Sequence, residues 1–463
     1  MPAIITKDFR LHNARQFEES FGEAADTYYL AIGRPQAFVN DQAFNDGTDA
    51  SPPTPVDDVG QVEYYAYDDF LSAKKITSTD VTLAIPRRNW TTGTVYDYYR
   101  HDYGDINSAG STITSDSGAS SLYDATFFVM NSTFDVYKCI DNNSGAASTV
   151  EPTGNKSTSV FTTGDSYKWK YMYSLSASEQ SNFMSTDFIH ASTESTDYST
   201  TGGAIEHVKV TAGGSSGSDG TYTGVAIRGD GSGGECTVVV SSNAVSSVTI
   251  TTAGSGYTFA SVLASDIGSV SGADIDFIIS PPGGHASDIP AELGAFFVMT
   301  NVNFTQADGS GDFSTGNDFR RIALVRNPTD STTGSTATAS TLDATKSITF
   351  SGTPGSFQAD EKITQATTGA VGFVVDFNAS TKVLRYVQPQ FADQGVDSNG
   401  NLTAFASTHT VTGATSSATG TPSSHDTTPE FTHDTGDILY IENRKPISRA
   451  SDQTENVKLI IEF

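Results

Sequence analysis

The sequence predicts a mainly β, multi-domain chain of sandwich- or barrel-like pieces, with one short N-terminal helix and two small inserted β modules. Three observations carry this. Runs rich in Val, Ile, Tyr and Phe recur between Gly, Pro, Asn, Asp and Ser, as strands between turns do. Helical periodicity is scarce. Charged residues make up only 17% while aromatics reach 10%, a balance that suits packed β structure and opposes disorder.

The one clear helical pattern is TKDFRLHNARQFEESF, where Leu11, Ala14, Phe17 and Phe21 recur at three- and four-residue steps. Thr6 can cap its first turn, and Asp8 sits near the positive end of the helix dipole. Strands are expected at TYYLAIG, VEYYAY, DVTLAIP, ATFFVM, DVYKCID, YKWKYMYSLS, FRRIALVRNP, DILYIE and NVKLIIEF. Several are apolar throughout, which suits strands covered on both faces. Long connections such as NDQAFNDGTDASPPTPVDDVG and RHDYGDINSAGSTITSDSGASS suit an assembly subunit, whose loops order against neighbours, better than a compact enzyme.

Two stretches differ in texture. Residues 203–281 are dense in Gly and Ser, and HVKVTAGGSSGSDGTYT returns as SVTITTAGSGYT, which reads as duplicated, stacked β-hairpin-like units. Residues 338–425 alternate like a small barrel or sandwich and end in a Thr/Ser/Ala-rich run read as a flexible return. The domain plan is therefore a β-rich core over 1–202, a Gly-rich module over 203–281, core again over 282–337, a second module over 338–425, and closing core strands over 426–463.

A formal charge of −28, from 54 acidic against 26 basic residues, opposes the counterion displacement that nucleic-acid binding needs. It also repels anionic membranes, so the expected partners are protein surfaces with local basic patches. Cys139 and Cys236 lie far apart in different modules, which predicts free thiols in a reducing compartment. No apolar run approaches the roughly 18 residues of a membrane span, and the start MPAIITKDFR lacks an export signal, so the chain reads as soluble.

Catalytic and metal chemistry find little support. RGDGSGGE at 228–235 lacks the following Lys and the strand-to-helix setting of a phosphate loop, and reads as a turn. His425, Asp426, His433 and Asp434 share one short segment but match no zinc spacing. There is no G-x-S-x-G elbow, and Cys139 lies in an apolar strand where a thiol stays inert. Paired carboxylates at hydrolytic separation are invisible to sequence. No catalytic residue, cofactor or metal is expected.

The anchors singled out are Arg87, Arg88 and Trp90 of AIPRRNW, Tyr96, Tyr98 and Tyr99 of YDYYRHDY, and the basic cluster Arg444, Lys445 and Arg449. Guanidinium groups fork onto carboxylates or lie on aromatic rings, so the first set serves either as an intramolecular clamp or as a hot spot for another subunit. Tyrosines supply contact area at low entropic cost. The basic cluster is expected on the connection between DILYIEN and the terminal strand, where acidic loops could meet it.

Six blocks, LAIGRP, AIPRRNW, VYKCIDNN, YKWKYMYSL, RRIALVRNP and GDILYIENRKPISRASDQTENVKLIIEF, resemble in content and order the baseplate wedge subunit known as protein eight of T-even-type contractile-tailed phages. The resemblance implies a non-enzymatic, mostly β structural protein. It would form a homodimer, sit in the wedges of the virion's tail baseplate and touch other wedge proteins, after assembly in the host cytoplasm. The two Gly/Ser/Thr-rich insertions depart from that pattern, so nothing about their contacts follows from it. A carbohydrate-binding tail adhesin is the alternative, with 203–281 as its binding module, and a tail-associated hydrolase stands third.

Overall fold

The structure is a computed structural model that describes residues 5–38, 47–55, 66–107, 110–154, 156, 159–194, 201–304, 317–389, 395–448 and 455–463. Strands far outnumber helices, of which the described residues hold three: α1 (Lys7–Ser20), α2 (Ala177–Phe183) and α3 (Ile289–Leu293). None is long and apolar enough to cross a membrane. The chain divides into two compact units. The first comprises Met1–Gln16, Thr82–Met299 and Ile460–Phe463, the second Phe17–Val81 and Thr300–Leu459.

The second unit is built on a five-stranded antiparallel sheet in the order Thr341–Asp343, Phe70–Ile76, Tyr28–Gly33, Asp318–Arg326, Asp437–Ser448. Tyr28–Gly33 is buried at every position, as its unbroken apolar run implies. Ala73, Ala31 and Ala323 lie side by side across three strands. They join Tyr29, Phe70, Val325, Leu342 and Phe431 in one core. Each fully buried large side chain there contributes roughly 1.5–3 kcal/mol. The Tyr29 hydroxyl donates to Ala339 O at 2.6 Å, so its burial strands no polar group.

The first unit contains the four-stranded sheet Phe128–Met130, Asp135–Asp141, Lys168–Ser174, Phe161–Thr162. Trp169, on its strand Lys168–Ser174, stacks on Tyr167 at 5.5 Å and both are fully buried. Strand Val81–Pro86 pairs with Phe188–His190. Helices α2 and α3 went unread in the sequence, yet both carried start signals. Ser176 and Glu179 form a capping box on α2, while Asp288 caps α3 with Pro290 in its first turn and Gly294 ends it at φ +73. The segment VEYYAY lies outside the described residues up to Tyr65, and Tyr67 opens a 3-10 turn.

Within the first unit, residues 205–279 supply their own core around Cys236, Val238, Tyr257 and Phe277. The repeated segments are not hairpins. Strand Ile205–Ser215 pairs with Ser271–Ile279, and the Tyr-bearing strand Gly220–Ala226 pairs with Ser232–Ser241. What repeats is a Tyr tied back to nearby backbone. Tyr222 donates to Ser218 O, and Tyr257 donates to Ile227 O while accepting from Gly234 N–H.

Within the second unit, Lys346–Phe350 begins a seven-stranded sheet whose core holds Phe350, Phe357, Val374, Leu384 and Tyr386. The Thr/Ser-rich run expected to be a flexible return is part of this sheet, as strands Val411–Gly413, Thr419–Gly420 and Pro422–Asp426. Small residues permit this closeness. A Cβ on Gly420 would stand 2.6 Å from the Phe350 ring. Glu361 holds the turn, accepting from Thr415 N–H, Ser416 N–H and the Ser416 hydroxyl.

Candidate interface anchors

AIPRRNW leaves the end of strand Val81–Pro86 and spends its polar groups on its own chain. Arg87 donates to Asn89 Oδ1 at 3.0 Å and to Ser185 O at 2.8 Å. Arg88 lies 4.6 Å above the Phe128 ring and donates to the carbonyls of Ala125 and Tyr123. Burial lowers its guanidinium pKa, against the pull of Asp97 and Asp124. Trp90 Nε1–H donates to Ser148 Oγ at 3.1 Å. Of the two guanidinium uses expected, carboxylate fork or aromatic contact, Arg88 makes the second, and the hydrogen bonds of both arginines go to carbonyl oxygens and an amide.

The three tyrosines are buried. Tyr96 packs edge-on to Trp169, and its hydroxyl donates to Thr91 O. Tyr98 lies beneath the Lys209 ammonium at 4.2 Å. Tyr99 faces the Lys138 ammonium at 4.6 Å and His285 at 5.1 Å, and Lys138 is ion-paired with Glu292. Burial raises the phenol pKa of Tyr96, and of Tyr99 with help from Glu292, so both stay protonated.

Between these tyrosines sits Asp97, one of several carboxylates that act as loop fasteners. It accepts from the N–H and hydroxyl of both Ser117 and Thr126 at 2.6–3.1 Å. Burial works to raise its pKa, but these four bonds outweigh it and hold the carboxyl below its ordinary value. Asp165 accepts in the same way from Ser148, Thr149, Val150 and Thr163 and is held down to about 2. The RGDGSGGE tip follows suit, with Asp230 accepting from Thr258 N–H and its hydroxyl.

The C-terminal basic residues are placed differently from expectation. Arg444 and Lys445 lie inside strand Asp437–Ser448, not on a connection after it, and Arg449 lies outside the described residues. Arg321 pairs with Asn443 and Phe319 with Ile447, so Arg444, Lys445 and Pro446 together face the single residue Arg320. They form a bulge on a strand that ends its sheet among the described residues. Both basic residues are exposed, and Arg444 Nε is 3.5 Å from Glu442 Oε1.

The sequence reading missed the buried arginine centre of the second unit. Arg321 donates to both oxygens of Asp69 at 2.8 and 2.9 Å, and Arg34 approaches the same carboxylate at 4.0 Å. Arg320 forks onto Asp49 at 2.9 and 3.0 Å and donates to Pro35 O. LAIGRP and RRIALVRNP, separated by hundreds of residues, thus meet on two aspartates. Their arginines stood in plain view, and only the register of Gly33 opposite Arg321 reveals the meeting. Among the described residues no His, Cys, Asp or Glu group could hold a metal ion.

Side chains used this way, on their own backbone and on each other, hold together a β-rich, multi-domain fold. Residues 3–150 match the family described as Phage-Gp8: Bacteriophage T4, Gp8, a structural protein family of the phage baseplate wedge. The matched segment, roughly the N-terminal third, holds Arg87, Arg88, Trp90 and the three tyrosines, so the resemblance drawn from the sequence blocks stands there. No curated protein matches the chain.

Proposed function

We propose that the chain is a structural subunit of a phage tail baseplate wedge that pairs with a second copy of itself, bridges neighbouring wedge proteins as the tail assembles in the host cytoplasm, and catalyses no reaction. The observation that carries this is the family match over residues 3–150. The charge of −28 favours protein partners with basic patches over nucleic acid or membrane. The domain plan belongs to the same proposal, with 203–281 and 338–425 as insertions into one frame. Its support is that each insertion starts and stops side by side. Ser280 N–H donates to Ala204 O, and Phe431 N–H donates to Asp343 O.

Co-expression with other wedge proteins followed by sedimentation tests the reading. A dimer that enters larger complexes is expected, and a lone monomer that binds none of them would overturn it. Reversing the charge of Arg444 and Arg449 should weaken that assembly at low salt, and unchanged assembly would remove the cluster from the interface. A second reading, a carbohydrate-binding adhesin, has one observation behind it: Phe259, 61% exposed beside the Asp230 turn. Glycan binding by the whole chain that Phe259→Ala abolishes would favour it.

A further inference from the structure

The root of the 205–279 segment, where strands Ile205–Ser215 and Ser271–Ile279 pair, meets the four-stranded sheet of the same unit through polar groups. At its centre Asp141, Lys168 and His207 form a triangle. Lys168 Nζ stands 3.3 Å from Asp141 Oδ2 and 3.3 Å from His207 Nδ1, and His207 Nε2 stands 3.3 Å from Asp141 Oδ2. An ammonium can only donate, so His207 Nδ1 must be the bare acceptor nitrogen and Nε2 carries the proton, near Asp141 but without a hydrogen bond to it. At the solvent-facing rim a second imidazole has the same duty, since His101 Nδ1 accepts from Ile279 N–H at 3.4 Å.

The remaining charged groups facing the root are Lys209 over Tyr98, Arg100 held between Asp102 and Asp276, and Asp105 beyond His101. Lys209 and Arg100 can only donate, so neither replaces a lost acceptor at Nδ1, while Asp102, Asp105 and Asp276 pull a proton towards His101 against burial and Arg100. A proton on His207 would turn an N–H against the Lys168 ammonium with Lys209 close by, and a proton on His101 would abolish the Ile279 bond.

We propose that this root is a proton-operated latch: protonation of His207, seconded by His101, frees the 205–279 segment from its seat while the rest of the unit stays folded. Burial and the two lysines oppose that proton, which holds the His207 pKa down to about 4, and Asp141 pulls the other way. The latch therefore stays shut at neutral pH and opens in acid. The root of the 346–426 segment is wired the opposite way. There His433 donates through Nε2 to Ala344 O at 3.4 Å, a bond that protonation keeps.

Hydrogen exchange of the whole chain, corrected for the intrinsic rate, tests this between about pH 7.5 and pH 4.5. Exchange in 205–215 and 271–279 should quicken about tenfold or more in acid, while 346–350 and 135–139 keep their protection. In the double variant His101→Asn, His207→Gln, whose amide oxygens accept without titrating, the quickening should vanish. A root that keeps its protection, or one that opens only together with 135–139, overturns the latch. So does a folded double variant with the wild-type pH response. If that variant does not fold, the wild-type pH series decides alone.

Discussion

A buried guanidinium is safe only while its anion stays. Asp69 is 1% exposed and takes both bonds from Arg321, which is itself buried. Burial pushes the Asp69 carboxyl up and the arginine fork pulls it back, so the pair holds as long as both partners are present. Asp69→Asn is expected to lower stability by about 3–5 kcal/mol, because it leaves a buried charge uncompensated. Arg326→Ala breaks only the exposed contact with Asp437 and should cost under about 1 kcal/mol. Urea unfolding midpoints compare the two, and equal losses would sink the argument. The half-buried Arg88 stands between them. Arg88→Ala strips the Ala125 and Tyr123 carbonyls of donors and should cost about 1–3 kcal/mol, read as an earlier urea midpoint.

At the scale of elements, the bulge in Asp437–Ser448 gives the basic cluster a use within the sheet. An edge strand this long is a template for unwanted pairing, and Lys, Pro and a bulge are ordinary protections against it. Replacing Lys445 and Pro446 by Val should raise light scattering on concentration while leaving the unfolding midpoint nearly unchanged. Sequence alone does not show this, because RKPISR reads as a connection between strands, and only the register reveals three residues facing one. The strands themselves were legible where apolar runs stayed unbroken, as in Tyr28–Gly33 and Asp135–Asp141. The Thr/Ser-rich run misled for a physical reason: small hydroxyl residues serve a mobile linker and a tightly packed turn equally well, and Glu361, some fifty residues upstream, decides between them. The same holds for the anchors. Arginine, tryptophan and tyrosine announced that something would be pinned, but the carbonyls they hold carry no side-chain signature.

At the scale of the whole molecule, acid should act on the two units with opposite sign. In the first unit, His190, His207 and His285 all lie below the ordinary histidine value, burial being the first cause in each. A depressed histidine is neutral in the fold but takes a proton once unfolded, so stability begins to fall as pH drops below about 6.5. For His207 the loss continues down to about 4. In the second unit burial raises the carboxyl of Asp360 to about 6, with help from Asp318. It takes its proton sooner folded than unfolded, so the same fall in pH favours the fold, modestly because Asp360 lies at the surface. Below about 4 the depressed carboxyls, Asp97 and Asp165 in the first unit and Asp49 and Glu361 in the second, lose their advantage and both units weaken. Unfolding of whole units, below about pH 4.5 where the 205–279 segment has already left its seat, is therefore expected to begin in the first unit. Exchange protection lost from 128–141 and 168–174 before 28–33 and 318–326 would bear this out. Loss in the reverse order, or in both at one pH, would show that these titrations do not govern acid stability.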